Sequence, residues 1–232
     1  MKVIGLLGGM SWESTVPYYR IINETVKERL GGLHSARIVL YSVDFHEIEA
    51  MQRADDWVAA GALLGAAARS LQAAGAEGLV LCTNTMHKVA PAIEAAVTIP
   101  LLHIADATAE AVTAAGVSTV GLLGTRFTME QAFYRERLSE RHGLQVLTPD
   151  DADRAIVHRV IYDELCAGRI VKSSRDAYRR IMSALVERGA QAIVLGCTEI
   201  SLLVGAGDCS AALFDTTAIH ARKAAAWSLG HD

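Results

Sequence analysis

The sequence predicts an α/β protein built as two pseudo-symmetric lobes, each a mainly parallel sheet flanked by helices. Three observations carry that prediction. Short runs of Val, Ile and Leu alternate with longer segments of helical period, the pattern of βα units around a parallel sheet. Three sequence blocks return in the same order in each half of the chain, about 110 to 116 residues apart. Finally, 232 residues that are 51% hydrophobic supply enough apolar side chain for two small cores.

Taken in chain order, the apolar run at 2–7 is the first strand, and the segment of helical period at 14–30 is the first helix. A strand follows at 37–42 and an Ala-rich helix at 55–74, whose longest apolar run ends at Arg69 and reads as a buried helix. Leu79-Val80-Leu81 marks a strand over 78–81, followed by a helix at 86–96. The pattern continues with a strand at 101–104 and a helix at 105–115, then a strand at 119–123 and a helix at 129–141. A short strand at 145–147 precedes helices at 151–167 and 174–188. Strands at 192–195 and 212–214 and a helix at 217–229 complete the chain.

The repeats set the domain organisation. Ile4-Gly5-Leu6-Leu7-Gly8 returns as Val120-Gly121-Leu122-Leu123-Gly124. Gly75-Ala76 and Leu79-Val80-Leu81-Cys82-Thr83 return as Gly189-Ala190 and Ile193-Val194-Leu195-Gly196-Cys197-Thr198, with one residue inserted before the second cysteine. A weaker pair sets Ile104-Ala105-Asp106 against Leu213-Phe214-Asp215. A duplicated lobe places equivalent strand ends across one cleft, and ligands of open parallel sheets bind beyond the carboxyl ends of the strands. The expected division is 1–102 with 213–232 for the first lobe and 103–212 for the second.

Cys82 and Cys197 each stand just after a buried strand, beside threonine and ahead of a helix. Helix N-termini there lower a thiol pKa and bind anions. Cys166 and Cys209 lack such a partner and read as packing residues. Two equivalent thiols on opposite walls of a cleft suit proton transfer at both faces of one carbon, as inversion of a stereocentre demands. A cysteine hydrolase needs one thiol and a histidine base instead.

Composition excludes other classes. With 22 basic against 26 acidic residues and a net charge of -4, no basic cluster offers a nucleic-acid surface. The hydrophobicity rules out a disordered chain. No apolar run reaches the roughly 20 residues of a membrane span, and the opening apolar stretch is too short for a signal peptide, so a cytoplasmic location is expected. Gly5 to Gly9 lacks the spacing of a dinucleotide loop and reads as a tight turn. Asp44, His46, Glu47, His87 and His103 lack metal-ligand spacing, so no metal is expected. Nothing marks Lys88 as a Schiff-base lysine. Trp12, Tyr18 and Tyr19 read as packing residues, and Arg175, Arg179 and Arg180 as a solvated helix face.

The segments GLLGGMSWEST (5–15), VDFHEIEAMQ (43–52), LCTNTMHK (81–88), IPLLHIADAT (99–108), GLLGT (121–125) and LGCTEI (195–200) resemble the aspartate/glutamate racemases that work without pyridoxal phosphate, in particular the broad-specificity bacterial amino-acid racemases. The resemblance spans both halves. It implies a homodimer of two-lobed chains that needs no cofactor, a first lobe completed by the C-terminal helix, and Cys82 and Cys197 as the acid–base residues. It also implies a pocket lined by Gly9, Met10, Thr83, Asn84, Thr85, Thr125 and Thr198, with Glu199 holding the substrate ammonium or orienting Cys197. The side chain of the substrate would be read by Gln52 or Arg53, or by Arg169 or Lys172. Gln52 cannot balance a distal carboxylate, so neutral substrates become admissible beside acidic ones. Related maleate isomerases, hydantoin racemases and arylmalonate decarboxylases, or a non-catalytic amino-acid-binding protein, are the alternatives.

Overall fold

The computed structural model describes residues 1–230, which divide into two compact units. The first runs Met1–Ile104 and resumes at His220; the second is Ala105–Ile219. Each holds one four-stranded parallel sheet with helices on it, the α/β architecture the sequence predicts.

The first unit begins with β1 (Ile4–Gly8), α1 (Trp12–Leu30) and β2 (Ile38–Ser42), then α2 (Phe45–Arg53) and α3 (Trp57–Ala73). β3 (Gly78–Leu81), α4 (Ala90–Ala96) and β4 (Leu101–Leu102) complete its sheet, in the order β2-β1-β3-β4. The helix at the C-terminus then lays its alanines against the sheet. Alternation along the strands splits the core into two. Leu7, Leu79 and Leu81 face α2 and α3, whereas Ile4, Leu6, Val80 and Cys82 pack with Tyr18 and Ile22 of α1 and with Ala221, Ala224 and Trp227.

Local chemistry explains where the helices depart from the sequence-based boundaries. α2 was not expected; Asp44 caps it by accepting the His46 N–H at 3.0 Å, and Asp56 caps α3 through the Ala59 N–H at 2.9 Å. The helix expected over 86–96 begins as a 3-10 turn, Thr85–Val89. Pro91 has no N–H for an α-type bond to the His87 carbonyl, which accepts from Ala90 instead. Of the aromatic residues on α1, Tyr18 is buried while Trp12 and Tyr19 are exposed.

The second unit repeats the plan: α5 (Ile104–Ala114) enters it, followed by β5 (Thr119–Gly124), α6 (Arg126–Glu130), α7 (Ala132–Glu136) and β6 (Gln145–Leu147). The helix expected over 129–141 is interrupted by extended backbone at Gln131 and finishes as a π turn, Arg137–Arg141. α8 (Asp151–Asp163), α9 (Lys172–Glu187), β7 (Ala192–Gly196), α10 (Ile200–Leu203), β8 (Ala212–Asp215) and α11 (Thr216–Ser228) follow. The sheet order is β6-β5-β7-β8, the same connectivity as the first. α11 starts in this unit and ends in the other, and β8 belongs to the second sheet.

The arginines of α9 are exposed, as expected of a solvated face, but each is also tied to a covered carboxylate. Arg175 grips Asp208 with Nε and Nη2 at 2.9 and 2.8 Å, Arg179 joins the same carboxylate, and Arg180 reaches Asp153 at 3.0 Å. The Asp208 side chain is wholly covered, and the guanidiniums hold its carboxyl well below the usual carboxylate range. This fork pins α9 to the segment that follows α10.

Candidate active site

In the first unit the turn after β1 is shaped by close approach. A Cβ on Gly8 would lie 2.4 Å from the Thr15 methyl, and Gly9, at φ +92, would place one 2.3 Å from the Val43 carbonyl oxygen. The Gly9 N–H donates to Thr15 Oγ1 at 2.9 Å. Met10 is buried in the core beside α2 and α3, and Gln52, also buried, donates from Nε2 to Met86 Sδ at 2.9 Å. Past the end of β3, Thr83, Asn84 and Thr85 are all buried, and the Thr83 carbonyl accepts from His87 Nδ1 at 2.7 Å.

In the second unit Thr125 follows β5 and caps α6, its Oγ1 accepting the Thr128 N–H at 3.3 Å. Past the end of β7 come Cys197, Thr198 and Glu199, all nearly covered. Glu199 gathers this turn: Oε2 accepts from Cys197 Sγ at 3.1 Å and from Thr198 Oγ1 at 2.6 Å, and Oε1 faces Cys166 Sγ at 3.8 Å. Cys166, expected as a packing residue, also packs partly buried against the core of this unit. Burial pushes the Cys197 thiol well up, and the Glu199 charge adds to that.

The two cysteines do not occupy equivalent places. Sheet register pairs Leu7 with Leu81 in the first unit and Leu123 with Leu195 in the second, and Leu7 and Leu123 are the same position of the repeated strand. Leu81 therefore matches Leu195, Cys82 matches Gly196, and Thr83 matches Cys197. Side-chain alternation agrees. Cys197 shares its core with Ile193 and Leu195, whereas Cys82 shares its core with Val80, on the face away from Leu79 and Leu81. No residue is inserted, and the apparent insertion came from aligning Cys-Thr with Cys-Thr.

Cys82 has no exposed surface; its Sγ points back to the Val80 carbonyl at 3.7 Å, and burial alone drives its pKa up. Both thiols have raised rather than lowered pKa values, because burial outweighs the helix N-termini expected to activate them. α4 starts eight residues beyond Cys82, and α10 has four residues. Of the residues expected to read the substrate side chain, only Gln52 is buried. Arg53 is exposed and pairs with Glu49, Arg169 is exposed on the Asp163 carbonyl, and Lys172 is exposed at the start of α9.

The profile of the Asp/Glu/Hydantoin racemase family matches residues 7–224. The chain belongs to this family. Among solved structures, one from Yersinia pestis, provisionally described as an Asp/Glu racemase, is 63% identical with a TM-score of 0.92, over 99% of this chain and 100% of that one. An aspartate racemase homologue from Pyrococcus horikoshii is 35% identical with a TM-score of 0.85, over 99% and 100% of the two chains. The aspartate racemase of Picrophilus torridus, 19% identical over the whole of both chains, shares the fold with a TM-score of 0.73. Among the described residues no helix is long and apolar enough to cross a membrane.

Proposed function

We propose that this racemase-family protein interconverts L- and D-amino acids of the aspartate/glutamate type, without a cofactor, as a cytoplasmic homodimer. Cys197 exchanges the α-proton at one face of the substrate carbon. The observation that carries this reading is the Cys197–Glu199 pair: a thiol at a strand end, its proton already directed to a buried carboxylate. Its base form needs a nearby cation, because burial and the Glu199 charge both oppose a thiolate. The ammonium of an amino acid supplies that charge, and Glu199 is the group to receive it. The developing carbanion is held through its carboxylate by the Gly9 turn, Thr85 and Thr125.

The opposite face falls to the turn after β3. Sheet register supports Thr83 there, with Cys82 serving as core packing; the two-thiol alternative keeps Cys82 in that role. In that step Thr83 would donate its proton to the carbanion and regain one from water, while Cys197 gives up to solvent the proton it removed. The remaining pocket residues, Met10, Gln52, Asn84 and Thr198, shape the space for the substrate side chain.

The test is incubation with L- and D-aspartate and L- and D-glutamate in D2O, following α-deuteration and optical rotation. Wild type exchanges the α-proton and Cys197→Ala does not; Cys82→Ala stays within a few-fold of wild type, and Thr83→Ala loses inversion. Loss of inversion in Cys82→Ala with Thr83→Ala active would restore the two-thiol arrangement. No exchange with any amino acid would remove the racemase reading.

A single thiol at the matched strand ends also favours a second reading, a lyase or isomerase of the arylmalonate decarboxylase or maleate isomerase kind. Release of carbon dioxide from an arylmalonate, or a succinyl adduct on Cys197 after exposure to maleate, would select it.

A further inference from the structure

We infer that His87 is a positioning residue for the Thr83 turn, fixing the Thr83 carbonyl from behind and tying it to the point where the chain leaves the first unit. The inference rests on the proposed racemase reading for its kinetic consequence and on geometry for the rest.

The His87 imidazole is 2% exposed. Nδ1 lies 2.7 Å from the Thr83 carbonyl oxygen and Nε2 lies 3.2 Å from the Ile104 amide nitrogen. A carbonyl only accepts and an amide only donates, so the ring is neutral, with its proton on Nδ1. Ile104 is the last residue of the unit before the chain crosses to the other, and His220 is the first on its return. His220 is held there as well, with Nε2–H on the Leu102 carbonyl at 2.7 Å and Nδ1 accepting from the Tyr18 hydroxyl at 2.9 Å. The His103 ring lies tilted against His87 with centroids 4.4 Å apart, and the His220 ring lies 6.0 Å from His87. Three buried imidazoles thus gather at both crossings, and one of them reaches the candidate acid–base turn.

Orienting the Thr83 carbonyl sets the peptide plane between Thr83 and Asn84, and with it the direction in which the Thr83 hydroxyl is presented. An apolar side chain could fill the same volume but could not hold that plane. Small misplacement of a reacting group lowers rate far more than binding.

Two isosteres separate the contacts. The amide nitrogen of His87→Asn stands near Nδ1 and keeps the donor to Thr83. The amide oxygen of His87→Gln keeps an acceptor near Ile104 and loses that donor. Expected are a kcat within about threefold of wild type for His87→Asn and a loss of about tenfold or more for His87→Gln, with KM little changed in either. In wild type, imidazole 15N shifts are expected to show the Nδ1–H form of His87 at neutral pH. A wild-type kcat in His87→Gln, equal losses in both variants, or an Nε2–H tautomer would each overturn the inference. An inactive wild type would instead indict the racemase reading, and the 15N spectrum would still test the geometry.

Discussion

Acid is expected to destabilise the first unit through His220, by an amount its surroundings allow to be worked out. The imidazole is completely buried in α11, between the Leu102 carbonyl and the Tyr18 hydroxyl. Burial lowers its pKa from 6.5 to about 4, and the Leu102 carbonyl, which favours the charged ring, opposes this only in part. The sign follows from linkage. Above pH 6.5 neither the folded nor the unfolded chain protonates this residue, and stability is whole. Between pH 6.5 and 4 the unfolded chain takes up a proton that the folded one refuses, so stability falls by ~1.4 kcal/mol per pH unit, towards a total of ~3 kcal/mol. Below pH 4 both states bind the proton and this contribution is flat. Urea melts of wild type and His220→Gln from pH 8 to 4.5 isolate the effect. Glutamine can donate to Leu102 but does not titrate, and the other ionisable groups cancel in the difference. The wild-type curve should drop below that of the variant, relative to pH 8, by ~2–3 kcal/mol at pH 4.5. Parallel curves across that window would refute a buried, neutral His220.

Two further outcomes are expected. In Gly78→Ala the new methyl would fall 2.4 Å from Cη2 of Trp227, an overpacking that costs about 1–3 kcal/mol; thermal melts should show the loss, and pairing it with Trp227→Leu should recover part of it. Asp208→Asn leaves the Arg175 and Arg179 guanidiniums facing an amide. Its melting temperature should lie below that of wild type at pH 7, with the gap closing as pH falls below the usual carboxylate range, where the unfolded chain takes up a proton that the folded carboxyl still refuses.

The fold was legible because its signals are periodic and local. Leu79-Val80-Leu81 and Ile193-Val194-Leu195 read as buried strands, and the block repeat is matched by the shared strand order of the two sheets. What escaped was written in side-chain chemistry rather than in hydropathy. α2 was hidden because its capping signal, Asp44, stands in a polar stretch that lacks a long apolar stripe. The 3-10 start at Thr85–Val89 follows from Pro91, which could have been read. The break at Gln131 has no comparable signal in the sequence. The ion pairs of α9 depend on Asp208, 33 residues beyond Arg175, and no helical spacing reveals a partner at that distance.

The cysteines show how a chemical match can mislead where a geometric one would not. Pairing Cys82-Thr83 with Cys197-Thr198 looked compelling because both residue types agreed, and it needed one inserted residue. A strand tolerates no such shift, since moving one residue turns every later side chain to the opposite face. Leu81 and Leu195 face equivalent cores, so the residues after them, Cys82 and Gly196, are matched, and the residues after those, Thr83 and Cys197, are matched in turn. The repeat of 75–81 at 189–195 carries the same register in the sequence, with Leu81 on Leu195 and no residue inserted. It converts a symmetric pair of thiols into a thiol and a hydroxyl at matched strand ends, and an alcohol is a much weaker acid than a thiol. A reaction nearly symmetric in its substrate would then be served by unequal groups, and the carboxylate of Glu199 stands beside the stronger acid of the two, where a proton has to be passed on.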